Sequence, residues 1–259
     1  MNPNIIKVGV GAVVVIALVV VVLIAVSNIV PARLFQYTVS WAPVPNYGYE
    51  LSFVRNKAKQ NVSLWYLNRE SKNVVLYLHG STGRIGDFFK SLPKDVSILS
   101  VAYPGYSESE GEPNYANVYE ASELAYQWLL DHNYNESNII ILGHSMGGAP
   151  ATHLASQKPN AKKLILINTF SSLKSMCEQQ LGILCVLVGD NFNSGKNASE
   201  ITIPVRHFAY EGDTTVPFSE DEKLFTNFTK TTDKQFIKMD KYTHTYPDFE
   251  LINKEIQAE

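Results

Sequence analysis

Short apolar runs recur along the chain and predict the strands of a largely parallel sheet. Residues 74–78, 138–142 and 164–168 consist mainly of Val, Ile and Leu. Such continuous runs are typical of strands that are covered on both faces, whereas half-exposed strands alternate. Runs that are shorter, alternating or interrupted by a few polar residues predict further strands at 51–54, 62–67, 96–103, 205–210 and 234–239.

Apolar residues at helical spacing lie between these runs. From Asn117, a predicted cap, they fall on one helical face: Val118, Ala121, Leu124, Ala125, Trp128 and Leu129. Small residues after position 145 predict a second helix close to the sheet. Alternating strands and helices predict an α/β fold with a mostly parallel central sheet and helices on both faces. A functional site in such a fold opens at the carboxyl ends of the strands.

The amino-terminal pattern is different, because residues 8–32 carry no charge. This run is long enough to cross a hydrocarbon core of about 30 Å as a helix. A cleaved signal peptide is the alternative, since Ala25-Val26-Ser27 resembles a cleavage site, but an uncleaved signal anchor is favoured. Lys7 before the run and Arg33 after it weakly favour a cytosolic amino terminus, with the remaining chain on the lumenal or extracellular side.

The predicted organisation is therefore that of a single-pass membrane protein with one large α/β domain. Residues 1–7 form a tail, 8–32 the transmembrane helix, 33–60 a linker with edge strands and 61–259 the α/β domain. A short cap is expected at about 169–203. The apolar run 181–188 within it either faces an acyl chain or a membrane surface, or is a core-facing helix; both interpretations stay open.

Composition narrows the possible partners. The net charge of −3 provides no basic field, which argues against nucleic acid. The two cysteines, Cys177 and Cys185, lack the spacing of a zinc or redox motif. They either pair in an oxidising compartment or remain buried free thiols, with a slight preference for the thiols. Four Asn-x-Ser/Thr sequons, at Asn61, Asn135, Asn197 and Asn227, permit a lumenal domain.

The strongest chemical signal is Gly143-His144-Ser145-Met146-Gly147, which directly follows an apolar strand. A nucleophile elbow has this spacing, because the strand turns sharply into a helix and holds the serine in a strained conformation. Gly143 and Gly147 let the turn close without a clash from a Cβ. Ser145 is the predicted nucleophile.

An acid and a histidine follow in the order that a Ser-His-Asp triad of this type requires. Asp213 lies after the strand 205–210, and His244 lies after the strand 234–239. The histidine would take the proton of the serine, and the aspartate would fix its tautomer and stabilise its charged form. The rival acids are Asp190, Asp221 and Asp240, and the rival base is His207. Asp190 lies in the predicted cap, Asp221 in a predicted helix and His207 inside a strand.

An oxyanion hole is predicted beside the serine. His79-Gly80 ends the strand 74–78, where one backbone donor of such a hole is found, and the other follows the nucleophile. The two amides are assigned to Ser81 and Met146. The His79 side chain is interpreted as a packed, hydrogen-bonded core residue.

Taken together, these segments resemble the α/β-hydrolase superfamily. Within it they resemble the membrane-anchored serine hydrolases of the alpha/beta hydrolase domain-containing protein 13 type. The resemblance covers roughly residues 60–250 and depends on these segments: His79-Gly80-Ser81-Thr82-Gly83, the run 103–113 (YPGYSESEGEP), Gly143-His144-Ser145-Met146-Gly147-Gly148, the run 168–172 (NTFSS) and the run 212–217 (GDTTVP). It implies a single-pass membrane protein with an esterase, lipase or thioesterase-like site. Pro104 and Ser81 replace the Arg and Asn usual in such proteins, but neither change removes a backbone donor of the predicted oxyanion hole.

The predicted reaction is acyl transfer from a small-molecule or lipid ester, thioester or amide through an acyl-enzyme on Ser145. No metal or organic cofactor is implied. Two alternatives are a non-catalytic binding module on the same fold and an acyltransferase that uses the same triad. The sequence carries no signal of oligomeric state.

Overall fold

The computed structural model describes residues 18–29, 48–82, 85–240, 243–244 and 246–258. Within these residues, eight strands form one sheet. Their bounds are β1 (Glu50–Arg55), β2 (Asn61–Leu67), β3 (Val74–Leu78), β4 (Ser97–Val101), β5 (Ile139–His144), β6 (Lys163–Ile167), β7 (Val205–Tyr210) and β8 (Lys234–Met239). All eight predicted strands are confirmed, with ends that differ from the prediction by no more than two residues.

The strands lie in the order β1-β2-β4-β3-β5-β6-β7-β8. β1 and β2 pair antiparallel with each other, and β2 pairs antiparallel with β4. All other neighbours are parallel, as predicted. The carboxyl ends of β3, β5, β6, β7 and β8 therefore meet at one edge of the sheet, where the loops that carry the candidate site residues begin.

Helices cover both faces of the sheet, and the core lies between the layers. From residue 48 onward, the described α-helices are α1 (Ile85–Ser91), α2 (Tyr115–Asp131), α3 (Gly148–Gln157), α4 (Leu173–Leu181), α5 (Ser194–Ala198), α6 (Phe218–Thr226) and α7 (Phe249–Gln257). Every residue of β3, β4, β5 and β6 is buried. This burial explains the continuous apolar sequences of β3, of most of β5 and of most of β6, whereas β4 also buries two serines.

The helix α2 starts earlier than the sequence predicted. Asn114, not Asn117, is its cap: the Asn114 side chain accepts a hydrogen bond from the Asn117 amide at 2.9 Å. The apolar face begins only at Val118, so periodicity alone places the start of the helix too late. Ala149, on α3, is fully buried, as the predicted close packing requires.

The cysteines form a disulfide, so the slight preference for free thiols was wrong. Cys177 lies on α4, and Cys185 lies in the 3₁₀ turn that follows, with their Cα atoms 5.7 Å apart. The bond closes the loop between them and is buried in a small apolar cluster with Leu173 and Val188.

The amino-terminal helical segment, residues 18–29, contacts this cluster through Val26. The rest of the predicted transmembrane run 8–32 lies outside the described residues. Among the described residues, none of the helices combines the length and apolar character needed to span a bilayer.

Candidate active site

The turn that carries Ser145 connects β5 to α3 and has the strain predicted for a nucleophile elbow. Ser145 has φ +54°, a left-handed conformation that few residues other than glycine adopt. An ideal Cβ on Gly143 would lie 2.6 Å from the Gly147 carbonyl oxygen, and one on Gly147 would overlap the Leu78 carbonyl group. Both glycines are thus required by close backbone approach. Met146 is fully buried in the 3₁₀ turn just after the serine.

The loops after β5, β7 and β8 bring the three predicted triad residues together. Nε2 of His244 lies 2.9 Å from Oγ of Ser145. Nδ1 of His244 lies 2.6 Å from Oδ2 of Asp213. A carboxylate only accepts hydrogen bonds, so Nδ1 carries the proton and Nε2 offers its lone pair to the serine hydroxyl. This is the tautomer that a general base beside a serine needs.

The loop after β7 holds the Asp213 carboxylate in place. Its second oxygen, Oδ1, accepts hydrogen bonds from the amides of Thr215 at 2.7 Å and Val216 at 3.0 Å. The Asp213 side chain has no solvent exposure, whereas 15% of the His244 side chain is exposed. The carboxylate is therefore fixed by its own loop, and the imidazole lies at the border of the solvent.

The turn after β3 lies directly against the serine. An ideal Cβ on Gly80 would lie 3.2 Å from the Cβ of Ser145. The Tyr106 hydroxyl donates to the Ser81 carbonyl oxygen at 3.0 Å. His79 is buried, and its Nδ1 donates to the Gly80 carbonyl oxygen at 2.7 Å, which confirms the interpretation as a packed, hydrogen-bonded residue. Side chains thus fix the turn that carries the Ser81 amide.

His144, which the sequence analysis did not single out, contacts the segment that carries His244. Its Nε2 donates to the His244 carbonyl oxygen at 2.7 Å. Burial, and next the charge of His244, lower the pKa of His144 to about 3, so its imidazole stays neutral at physiological pH. A protonated His144 would repel a positive charge on His244.

The rivals Asp221 and His207 form a buried pair with each other. Nε2 of His207 donates to Oδ1 of Asp221 at 2.7 Å, and both side chains are inaccessible to solvent. The same oxygen accepts from the Thr169 amide at 2.8 Å, and the Thr169 hydroxyl donates to the Ser145 carbonyl oxygen at 2.7 Å. Burial raises the pKa of Asp221 to about 6, although its hydrogen bonds to His207 and Thr169 lower it. The pair therefore supports the backbone of the elbow through Thr169.

Glu220, the neighbour of Asp221, binds the next part of the same loop. Its carboxylate is buried and accepts hydrogen bonds from the Ser171 amide at 3.0 Å and the Ser171 hydroxyl at 2.6 Å. It also accepts from the Ser175 hydroxyl on α4 at 2.5 Å. Two consecutive carboxylates at the start of α6 therefore hold the β6–α4 segment. No local pattern marks these roles, because acidic residues in a first helical turn are common.

The other two rival acids, Asp190 and Asp240, are exposed and make no described contact with His244. Within the described part of the chain, no group of three or more His, Cys, Asp and Glu side chains is arranged to hold a metal ion.

The apolar run 181–188 is divided between core and surface. Cys185 and Val188 are buried against α4, whereas four apolar side chains are exposed: Leu181, Ile183, Val186 and Leu187. The interpretation as a wholly core-facing helix is therefore wrong. The run belongs to the segment between β6 and β7, which begins at the same edge of the sheet as the elbow and reaches the run through α4.

Comparison with known proteins places these features in context. A family model described as the alpha/beta hydrolase fold matches residues 73–194. Protein bem46 of Schizosaccharomyces pombe is 32% identical over 51% of this chain and 48% of its own length. Lysophosphatidylserine lipase ABHD12 of Danio rerio is 30% identical over 62% of this chain and 49% of its own length. The chain thus spans about half the length of these two curated relatives.

Two solved structures share the fold. An alpha-beta hydrolase from Vibrio vulnificus superimposes with a TM-score of 0.65 at 22% identity, covering 82% of this chain and 80% of that one. The esterase Pf2001 of Pyrococcus furiosus gives a TM-score of 0.59 at 17% identity over 76% of this chain and 82% of that one.

Proposed function

Because the chain belongs to the α/β-hydrolase superfamily, we propose that it is a serine hydrolase that cleaves acyl esters or thioesters through an acyl-enzyme intermediate. One observation carries the proposal. The His244 imidazole lies within hydrogen-bonding distance of both the Ser145 hydroxyl and the Asp213 carboxylate. The backbone of Ser145 is also strained, with φ +54°. Backbone strain of this kind concentrates at functional sites.

The first half-reaction forms the acyl-enzyme. Ser145 Oγ attacks the carbonyl carbon while its proton passes to Nε2 of His244. The Asp213 carboxylate, 2.6 Å from Nδ1, stabilises the resulting imidazolium. We assign the oxyanion of the tetrahedral intermediate to the amides of Ser81 and Met146. The contact between the Gly80 turn and Ser145 supports this assignment. Collapse breaks the bond to the leaving group, which takes the proton from His244 as an alcohol or thiol.

The second half-reaction releases the acid. A water molecule takes the place of the leaving group and gives a proton to Nε2 of His244 as its oxygen attacks the acyl carbon. The second tetrahedral intermediate uses the same two amides. When it collapses, the proton returns from His244 to Ser145 Oγ and the carboxylic acid departs. The neutral His144 holds the His244 backbone through both steps without adding a competing charge.

We propose a lipid or another apolar acyl ester as the substrate. Two observations support this choice. The segment between β6 and β7, which begins at the edge of the sheet where Ser145 lies, exposes apolar side chains. In addition, the Danio rerio relative is named as a lysophosphatidylserine lipase, although the match covers only about half of that protein.

We also propose that residues 8–32 attach the enzyme to a membrane as a single-pass signal anchor, with the catalytic domain on the lumenal or extracellular side. The uncharged run supports the attachment. The Cys177–Cys185 disulfide supports the side, because disulfides persist in oxidising compartments and are rare in the cytosol.

The test is ester hydrolysis by the full-length protein in membranes. Wild type and Ser145→Ala are compared on p-nitrophenyl esters of increasing acyl length. Wild type should hydrolyse them with a preference for longer chains, and Ser145→Ala should show only the background rate. Equal hydrolysis by both proteins would contradict the proposal.

A further inference from the structure

The four exposed apolar side chains after α4 form a compact surface, here called the apolar tip: Leu181, Ile183, Val186 and Leu187. Their exposed fractions are 44%, 85%, 53% and 50%. Isolated exposed apolar residues are normal on soluble proteins, but four within seven residues form a patch of the kind that marks an interaction site.

A disulfide and a small apolar cluster fix the base of the tip. The disulfide between Cys177 and Cys185 closes the loop that carries Leu181 and Ile183. Leu173 and Val188 pack around the disulfide, so the buried side of the loop has its own small core. An apolar loop with a fixed base does not need to lose much conformational freedom when it enters an apolar environment.

A second apolar surface contacts the cluster that lies under the tip. The amino-terminal helical segment, residues 18–29, contacts the disulfide cluster through Val26. The segment exposes seven large apolar residues: Leu18, Val19, Val20, Val21, Val22, Ile24 and Ile29. The helical segment and the tip therefore meet at one buried cluster, and both leave their remaining apolar side chains uncovered.

From this continuity we propose that the apolar tip inserts into the phospholipid surface that receives the amino-terminal segment. The inference depends on the proposed membrane attachment. An uncharged apolar segment enters hydrocarbon, and the tip then lies next to the same surface because Val26 joins the two. A bilayer suits the tip better than a protein groove, since its side chains offer aliphatic surface without a charged or aromatic residue that would fix an orientation.

The insertion has a consequence for the substrate. The tip belongs to the segment that leaves the carboxyl edge of β6, and Ser145, Asp213 and His244 lie on loops from the same edge. Docking of the tip directs this edge toward the lipid. An acyl chain then reaches Ser145 from the bilayer without crossing water.

The experiment measures the depth of single positions in the full-length protein, reconstituted in phosphatidylcholine vesicles. An environment-sensitive fluorescent amino acid is introduced in place of Ile183, of Val22 or of Lys72, one at a time. Val22 reports the amino-terminal segment, and Lys72 is an exposed position just before β3, at the opposite edge of the sheet. Spin-labelled phosphatidylcholine quenches probes that lie in the lipid.

We expect a blue-shifted, quenched probe at positions 183 and 22 and an unquenched probe at position 72. A quenched probe at 22 with an unquenched probe at 183 overturns the insertion of the tip and leaves the membrane attachment standing. Unquenched probes at both positions overturn both. None of these results depends on catalysis, so the fate of the hydrolase proposal is measured separately.

A pair of variants tests the consequence for lipid substrates. Ile183→Asp with Leu187→Asp should lower hydrolysis of a long-chain ester in vesicles by about tenfold or more, as expected when aliphatic burial is lost. The rate of labelling by a soluble fluorophosphonate should not change, which shows that the fold and Ser145 are intact. The matched control is Leu51→Asp with Phe53→Asp on the edge strand β1, where both residues are also exposed. An equal loss in both double variants would contradict insertion of the tip.

Discussion

The buried pair behind the elbow allows a quantitative prediction. Oδ1 of Asp221 accepts two hydrogen bonds, from the Thr169 amide at 2.8 Å and from Nε2 of His207 at 2.7 Å. Asp221→Ala removes the acceptor and leaves two donors without a partner in the core. Each unsatisfied donor costs about 1–3 kcal/mol, so the free energy of unfolding should fall by about 3–5 kcal/mol.

The control variant is Asp221→Asn, because its side-chain oxygen keeps both hydrogen bonds while the charge is removed. Burial raises the pKa of Asp221 to about 6, which means that the charge itself is unfavourable in this position. The new amide nitrogen takes the place of Oδ2, which is buried without a hydrogen-bond partner. Asp221→Asn should therefore cost about 1–3 kcal/mol at pH 7, less than Asp221→Ala.

Urea unfolding followed by tryptophan fluorescence measures the three proteins, and thermal melting of Asp221→Ala should fall by about 10 °C. The folded Asp221→Ala protein should also label more slowly with a fluorophosphonate, since Thr169 no longer holds the Ser145 backbone firmly. The reasoning is refuted if Asp221→Ala is as stable as wild type, or if Asp221→Asn loses as much stability as Asp221→Ala.

The change of folding stability with pH tests the same carboxyl group independently, because the shift in its pKa fixes the direction of that change. The pKa of Asp221 is higher in the folded than in the unfolded state, so the folded protein takes up a proton first as the pH falls. Its contribution is fully present below the unfolded pKa of about 3.9 and is lost as the pH rises through about 6. Relative to Asp221→Asn, wild type should thus gain stability between about pH 7 and pH 4. A relative loss over this range would contradict the assigned direction.

Three further predictions concern the site and its surroundings. Asp213→Asn should lower kcat by about 10⁴-fold with little change in KM, because His244 loses the partner that fixes its tautomer; a loss below tenfold in steady-state assays would argue against this role. Gly147→Ala should destabilise the fold by about 3 kcal/mol or more in urea unfolding, since its Cβ would overlap the backbone. The control Gly189→Ala should cost under about 0.5 kcal/mol, because its Cβ meets only a flexible side chain. Asn135 is exposed and makes no capping hydrogen bond, so Asn135→Gln should abolish a glycan removable by peptide N-glycosidase F from protein made in the secretory pathway; an unglycosylated wild type would argue against use of this sequon.

Sequence predicted the sheet well because its central strands are buried on both faces. Such strands must be apolar at every position, so β3, β5 and β6 are visible as continuous runs. The short helices α1 and α7 were not predicted. α7 buries only Ile252 and Ile256 on one narrow stripe, and two such residues do not distinguish a helix from a loop.

The residues of the candidate site were also predicted only in part. Ser145, Asp213 and His244 were found from sequence because each follows a strand directly, and loops at the carboxyl edge of a parallel sheet converge. The pairing of His207 with Asp221 was not found, because it joins β7 to α6 across the fold and leaves no local signal. Both residues were weighed as rivals for the triad, whereas the structure buries them together.

The disulfide could not be predicted from the sequence for a different reason. Spacing alone allowed Cys177 and Cys185 either to pair or to stay reduced. Only the turn after α4, which brings their Cα atoms to 5.7 Å, makes a bond geometrically possible.

The most direct measurement is fluorophosphonate labelling of the full-length protein, followed by identification of the modified peptide. Ser145 is expected to carry the label, because its hydroxyl lies 2.9 Å from Nε2 of His244 in the orientation that a general base requires. Labelling should disappear in Ser145→Ala, which removes only the hydroxyl. A label on another residue, or undiminished labelling of Ser145→Ala, would contradict the assignment of Ser145 as the nucleophile.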